Sequence, residues 1–216
     1  VPVSDPEAEG PVIKKAHDRA LRKDISLNST FDLVKRFRET DSATPVILMG
    51  YMESLEKTGF EDFSWNAADA GVDGIILVDL RPEESFILRS YLDLCDVELV
   101  FLISPTMTEG RSKFICEASR GFVYCISMEG TTGQKGVDVV EVKSRIELLR
   151  PITPLPLLVG FGINSSKVAQ SIGSFADGVI IGSALVDLID KDSQLPAKML
   201  AEVSRFISGV RVALDG

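Results

Sequence analysis

Six short, uninterrupted apolar runs recur along this chain, each followed by a stretch with helical periodicity. They are PVILMGY (45–51), GIILVDL (74–80), LVFLIS (99–104), GFVYCIS (121–127), LPLLVGFG (155–162) and GVIIGSA (178–184). A strand with one wet face alternates apolar and polar side chains. These runs are apolar and β-branched throughout, which fits strands covered on both faces of a parallel sheet. Between them lie the amphipathic stretches TFDLVKRFRET (30–40), LEKTGFEDFSWNAADAG (55–71), PEESFILRSYLDL (82–94) and VDVVEVKSRIELLR (137–150). Repeated βα units predict an α/β fold. The opening VPVS (1–4) reads as the end of another strand, which makes seven. A (β/α)8 TIM barrel needs one more, whereas an open doubly wound sheet takes any number.

The last two strands favour the barrel. NSSKVAQSIG follows the fifth run, LPLLVGFG, with Asn164 or Ser165 placed to cap a helix. After GVIIGSA comes a short helix, ALVDLID, and then PAKMLAEVSRFISGVRVAL (196–214). A short extra helix after the eighth strand, together with the loop after the seventh, is how such barrels hold a phosphate. No linker or low-complexity segment divides the chain. The expectation is therefore one (β/α)8-barrel domain over residues 1–216, N-terminally incomplete, with the first strand and preceding helix absent.

A net charge of −9 argues against nucleic-acid or anionic-membrane partners, since neither field attracts it. Three cysteines and one histidine, without metal-type spacing, argue against a metal site. Cys95 and Cys125 sit in or beside apolar runs and read as buried, reduced thiols of a cytoplasmic protein. No stretch has the roughly 18 consecutive apolar residues of a membrane helix, and the first residues do not form a signal peptide.

Each chemical motif carries a plain reading beside a functional one. GFGI (160–163) is either a tight strand-to-helix turn or a place where backbone approaches a ligand closely. Gly182 and Ser183 present amides at a helix start. Two such loops on consecutive strands converge on one anion, which points to a phosphate. EGTTGQKG (129–136) is a surface loop or a lid whose Thr132 and Gly133 fold over a ligand. Phe161 is a core aromatic or the wall of a flat substrate's pocket. Tyr51 and Tyr124, near strand ends, face a pocket or find partners in the core. Asp79 is a functional carboxylate or the cap of the next helix, and His17 reads as a helix-surface residue. In SDPEAEGP the carboxylates Asp5, Glu7 and Glu9 are explained by a turn preceding a helix.

Taken in order, these segments resemble one family, the α subunit of tryptophan synthase. SDPEAEGP resembles the family's S-D-P-x-A-D-G-P segment after the second barrel strand. PVILMGY, LVDLRPEES, FLISPT, GFVYCIS, GTTG, VGFGI and GSALV resemble further family segments at similar spacing, over essentially the whole chain. The resemblance implies a (β/α)8 barrel that cleaves indole-3-glycerol phosphate to indole and glyceraldehyde 3-phosphate, with no cofactor of its own. It also implies a β-subunit partner, carrying pyridoxal phosphate, in an α2β2 assembly. Carried over by motif, Gly133, Gly160, Gly162, Gly182 and Ser183 would surround the phosphate. Phe161 would pack on the indole, Tyr124 and Tyr51 would line the pocket, and Thr132 would order the closing loop.

The reaction is a retro-aldol cleavage. It needs a proton for the indole ring carbon, a base for the glycerol hydroxyl and an acceptor for the indole N–H. The resemblance assigns this work to two carboxylates. One is a glutamate whose position lies upstream of Val1. The other is the motif's aspartate, whose position holds Glu9, so Glu9, together with Tyr124, is the catalytic candidate in this chain. Glutamate lengthens the arm by one carbon–carbon bond, roughly 1.5 Å, and misplacement on that scale lowers a rate on the order of a hundredfold. Glu53, where the family usually has Asn, and Arg81, where it has Pro, depart in regions the resemblance associates with the β-subunit face. These departures motivate an alternative, an impaired α-like subunit acting as an allosteric activator of β. Another phosphosugar-binding barrel enzyme is the remaining reading.

Overall fold

The computed structural model describes residues 1–127 and 137–216. Two compact units interleave along the chain. The first comprises Val1–Ala8, His17–Phe101 and Ala118–Gly121; the second comprises Glu9–Ala16, Leu102–Glu117 and Phe122–Gly216. Helix α1 (Pro11–Leu21) contributes residues to each.

In the first unit the order is α2 (Leu27–Arg38), β1 (Ile47–Gly50), α3 (Met52–Glu56), α4 (Phe60–Ala70), β2 (Gly74–Leu77), a 3-10 turn (Pro82–Glu84), α5 (Phe86–Leu94) and β3 (Glu98–Val100). The strands pair in parallel in the order β1-β2-β3. Every residue of β2 is buried, as a parallel strand covered on both faces requires. Phe31, Phe63, Leu88 and Leu92 from the helices fill the core beside Ile75 and Leu99. The predicted helix over 55–71 is broken at Gly59, whose φ of 86° belongs to glycine, and α4 ends on the left-handed Gly71. Helix α2 begins earlier than its periodic stretch, because Ser26 and Ser29 form a reciprocal capping box.

The second unit holds β4 (Leu102–Ile103), α6 (Glu109–Ala118), β5 (Val123–Ile126), α7 (Val139–Leu149), β6 (Leu157–Gly160), α8 (Ser166–Gly173), β7 (Gly178–Ile180), α9 (Ser183–Lys191) and α10 (Pro196–Asp215). Its strands are parallel in the order β4-β5-β6-β7. Ser165 caps α8 by accepting the Val168 amide, and Asp138 caps α7. The run LVFLIS becomes two short strands divided at Phe101, one in each sheet.

One device recurs at the starts of strands. In the first unit Asp73 accepts the Val46 amide and the Arg38 guanidinium, both at 2.6 Å. In the second, Asp177 accepts the Leu157 amide at 2.7 Å and the Arg150 guanidinium at 2.5 Å. Each time an Asp-Gly pair before one strand fixes the entry of its neighbour. Each lies at the N-terminal ends of its own unit's strands, where a barrel places stability rather than chemistry.

His17 differs from the expected surface residue. It is half-buried, and its Nδ1 accepts the Val3 amide at 3.0 Å, tying the opening segment to α1. Asp79 also differs: its carboxylate accepts the Met52 amide at 2.9 Å and so caps the earlier helix α3. A strand-end aspartate serves whichever helix start its neighbouring strand brings alongside. Cys95 ends α5 and is half-buried rather than buried, while Cys116 and Cys125 are buried; all three are free thiols.

Candidate active site

Because β4 to β7 run parallel, their C-terminal ends share one edge of the second unit's sheet. The register sets Ile126 beside Gly160 and Gly160 beside Ile180. Ser127, the pair Phe161–Gly162 and residues 181–183 therefore leave the sheet side by side.

Gly160 is there for space. A Cβ at this position would lie 2.4 Å from both Cε2 and Oη of Tyr124, well inside van der Waals contact. Its absence lets the Tyr124 ring lie against β6. Tyr124 is buried, and its ring centroid lies 6.2 Å from that of Phe161 at an interplanar angle of 52°. Phe161 and Gly162 both take left-handed backbone, with φ of 77° and 73°. For an aromatic residue that conformation is strained. Two bonds from Ser127 hold it: the Ser127 amide donates to the Gly160 carbonyl at 2.9 Å, and the Ser127 hydroxyl donates to the Phe161 carbonyl at 2.5 Å.

Of the three opening carboxylates, Asp5 and Glu7 are exposed and Glu9 is half-buried. Burial raises the Glu9 carboxyl above its ordinary value, and the nearby Lys14 charge pulls it back. The Tyr124 phenol is pushed well above its usual value, first by burial and then by the Glu9 charge. Tyr124 is therefore a neutral hydrogen-bonding group at physiological pH, within the field of the Glu9 carboxylate.

Helix α9 begins immediately after Gly182, which has no side chain, and among the described residues no atom beyond its chain neighbours lies within 4 Å of where a Gly182 Cβ would be. Backbone amides at a helix start suit an anion. The second unit thus gathers Glu9, Tyr124, Gly160, Phe161, Gly162, Gly182 and Ser183. Tyr51 belongs to the first unit, where it is buried and precedes α3. Thr132 and Gly133 lie outside the described residues. Glu53 pairs with Lys57 at 2.6 Å, and Arg81 pairs with Glu84, so each departing residue has a local partner of opposite charge.

Among the described residues no group of three or more His, Cys, Asp or Glu side chains could hold a metal. No helix among them is long and apolar enough to cross a membrane. Ser127 and Lys14 escaped sequence reasoning. A polar residue ending an apolar run just before a glycine-rich stretch was a signal for Ser127; nothing in the sequence connected Lys14 to Glu9.

The family model for the tryptophan synthase alpha chain matches residues 1–214. The tryptophan synthase alpha chain of Thioalkalivibrio sulfidiphilus is 46% identical over 215 residues, covering 100% of this chain and 81% of that one. The crystal structure of tryptophan synthase subunit alpha from Legionella pneumophila is 37% identical, with a TM-score of 0.90 over 100% of this chain and 79% of that one. A chain from the tryptophan synthase a2b2 complex of Pyrococcus furiosus is 31% identical, with a TM-score of 0.87 over 97% of this chain and 83% of that one. At these scores the likeness fixes the fold class as α/β of the (β/α)8 type.

Proposed function

This chain belongs to the tryptophan synthase alpha chain family, and from that premise we propose which of its residues do the work. The chain is a lyase subunit of tryptophan biosynthesis that cleaves indole-3-glycerol phosphate and passes indole to a β subunit. It needs no cofactor of its own; pyridoxal phosphate belongs to the β subunit.

In the proposed site, Glu9 accepts the indole N–H as positive charge develops on the ring. The ring carbon gains a proton, the glycerol hydroxyl loses one, and the carbon–carbon bond breaks to leave indole and an aldehyde. Tyr124 stays protonated and bounds the pocket beside Glu9, and Phe161 forms the wall against the indole, with Tyr51 and Thr132 as further substrate-binding residues. Gly133, Gly160, Gly162, Gly182 and Ser183 lie around the phosphate. The carrying observation is the common edge at which Ser127, Phe161–Gly162 and the start of α9 leave neighbouring strands. An aromatic wall and a helix start stand side by side there, matching a substrate with an indole at one end and a phosphate at the other.

We further propose that residues 1–216 act as one domain in the cytoplasm. The interleaving of the units supports the first part, since neither is a continuous segment. The free thiols support the second. Binding of indole-3-propanol phosphate, competed by inorganic phosphate, together with indole release from indole-3-glycerol phosphate in the presence of β subunit, tests the site. Absence of analogue binding would sink it.

A further inference from the structure

We infer that Ser127 is a positioning residue for this site, a role resting on the proposed place of Phe161 against the indole. Phe161 holds a left-handed φ of 77° that an aromatic side chain ordinarily avoids, and Gly162 continues it at 73°. Such a conformation persists only where its surroundings over-determine it. Here the restraint comes from the end of the adjacent strand. The buried Ser127 donates its hydroxyl to the Phe161 carbonyl at 2.5 Å and its amide to the Gly160 carbonyl at 2.9 Å. The amide bond continues the parallel ladder that joins β5 to β6, and any residue except proline could make it. The hydroxyl bond depends on the side chain and engages the strained residue itself.

The consequence is a fixed direction for two groups at once. The orientation of the Phe161 carbonyl sets the peptide plane shared with Gly162, and hence the direction of the Gly162 amide. The same backbone sets where the Phe161 ring stands, 6.2 Å from Tyr124. Without the hydroxyl, the Phe161 carbonyl loses its partner and the segment is free to relax toward negative φ. Ring and amide then move together, at the seam between the proposed indole wall and the proposed phosphate cradle. Ser127 touches no reacting atom and acts through Phe161.

A double-mutant cycle on the full protein tests this, with indole release from indole-3-glycerol phosphate and the affinity for indole-3-propanol phosphate as readouts. Ser127→Ala should lower kcat/KM by about ten- to a hundredfold, the scale of an ångström-sized misplacement, and weaken analogue binding. Assays run well below the melting temperature of every variant. If Ser127→Ala is too unstable, Ser127→Cys replaces it, with similar volume and only a weak donor. Phe161→Gly removes the ring and adopts positive φ without strain. In that background the Ser127 change should cost clearly less than in wild type, because the ring it directs is gone while the carbonyl and the Gly162 amide remain. A merely structural role would carry the same loss into both backgrounds. If Phe161→Gly is impaired while Ser127→Ala is not, or if the Ser127 loss persists undiminished beside Phe161→Gly, the inference is overturned and the site stands. If Phe161→Gly itself turns over and binds analogue normally, the site assignment falls, and this inference with it.

Discussion

Gly160→Ala is the sharpest perturbation the geometry offers. The new methyl would meet the Tyr124 ring at 2.4 Å from Cε2 and Oη and 2.6 Å from Cζ. Ordinary carbon contacts lie at about 3.5–4 Å, so the ring must retreat by roughly 1 Å or more. Gly160 has no positive φ, which leaves this contact rather than backbone strain as the disturbance. Tyr124 is buried between its neighbours and is not the loose end of a flexible chain. Overpacking of this kind costs about 1–3 kcal/mol. A domain of this size loses about 2–4 °C of melting temperature per kcal/mol. The catalytic loss should come on top of this, because a displacement of about 1 Å at a reacting site lowers a rate about a hundredfold. Steady-state indole release and a thermal melt on the same preparation separate the two effects. Adding Tyr124→Leu should recover melting temperature relative to Gly160→Ala alone, with a favourable coupling of about 1–3 kcal/mol. Wild-type turnover by Gly160→Ala, or a melting loss that Tyr124→Leu leaves untouched, would refute the reasoning.

Three further outcomes follow from named groups. Lys14 lowers the Glu9 carboxyl against the raising effect of burial, so Lys14→Met should move the acid limb of the kcat/KM profile to higher pH; an unmoved limb detaches Lys14 from Glu9. A raised carboxyl in the folded state gives stability that is present below the ordinary value of 4.5 and lost as pH rises through the folded value. Glu9→Gln should therefore gain melting temperature against wild type at pH 7.5 more than at pH 4, and equal differences at both would contradict the burial of Glu9. His17 is depressed below its ordinary 6.5, chiefly by burial, and the Val3 amide donating to Nδ1 needs that nitrogen unprotonated. The stability it confers is present above 6.5 and lost as pH falls through the depressed value, so melting temperatures of wild type and His17→Ala should converge on acidification.

Much of the architecture was legible because a parallel sheet buries both faces of its strands and so writes continuous apolar runs. The strands β1, β2, β5 and β6 fall inside their predicted runs for that reason. Pairing was not written there: nothing in LVFLIS says that it divides at Phe101 and contributes to two sheets. The glycine pair around Phe161 and the start of α9 could be read as ligand-approaching backbone, since glycine and helix-start amides have local signatures. Glu9 could be singled out only through the ordered resemblance, because its influence on Tyr124 links residues over a hundred positions apart. Ser127 stayed hidden for the same reason, its hydroxyl bond spanning 34 positions to a backbone carbonyl. The cap made by Asp79 reached back 27 positions to Met52 rather than forward to the next helix.

The central claim is that Glu9 works at the reacting indole and is more than a turn residue. The most direct measurement is kcat for indole release from indole-3-glycerol phosphate by Glu9→Gln with β subunit present, alongside its affinity for indole-3-propanol phosphate. A carboxylate that accepts a proton in the transition state contributes on the order of 10²–10⁴-fold. The account predicts a loss of kcat in that range, with analogue affinity changed far less. An unchanged kcat would contradict it.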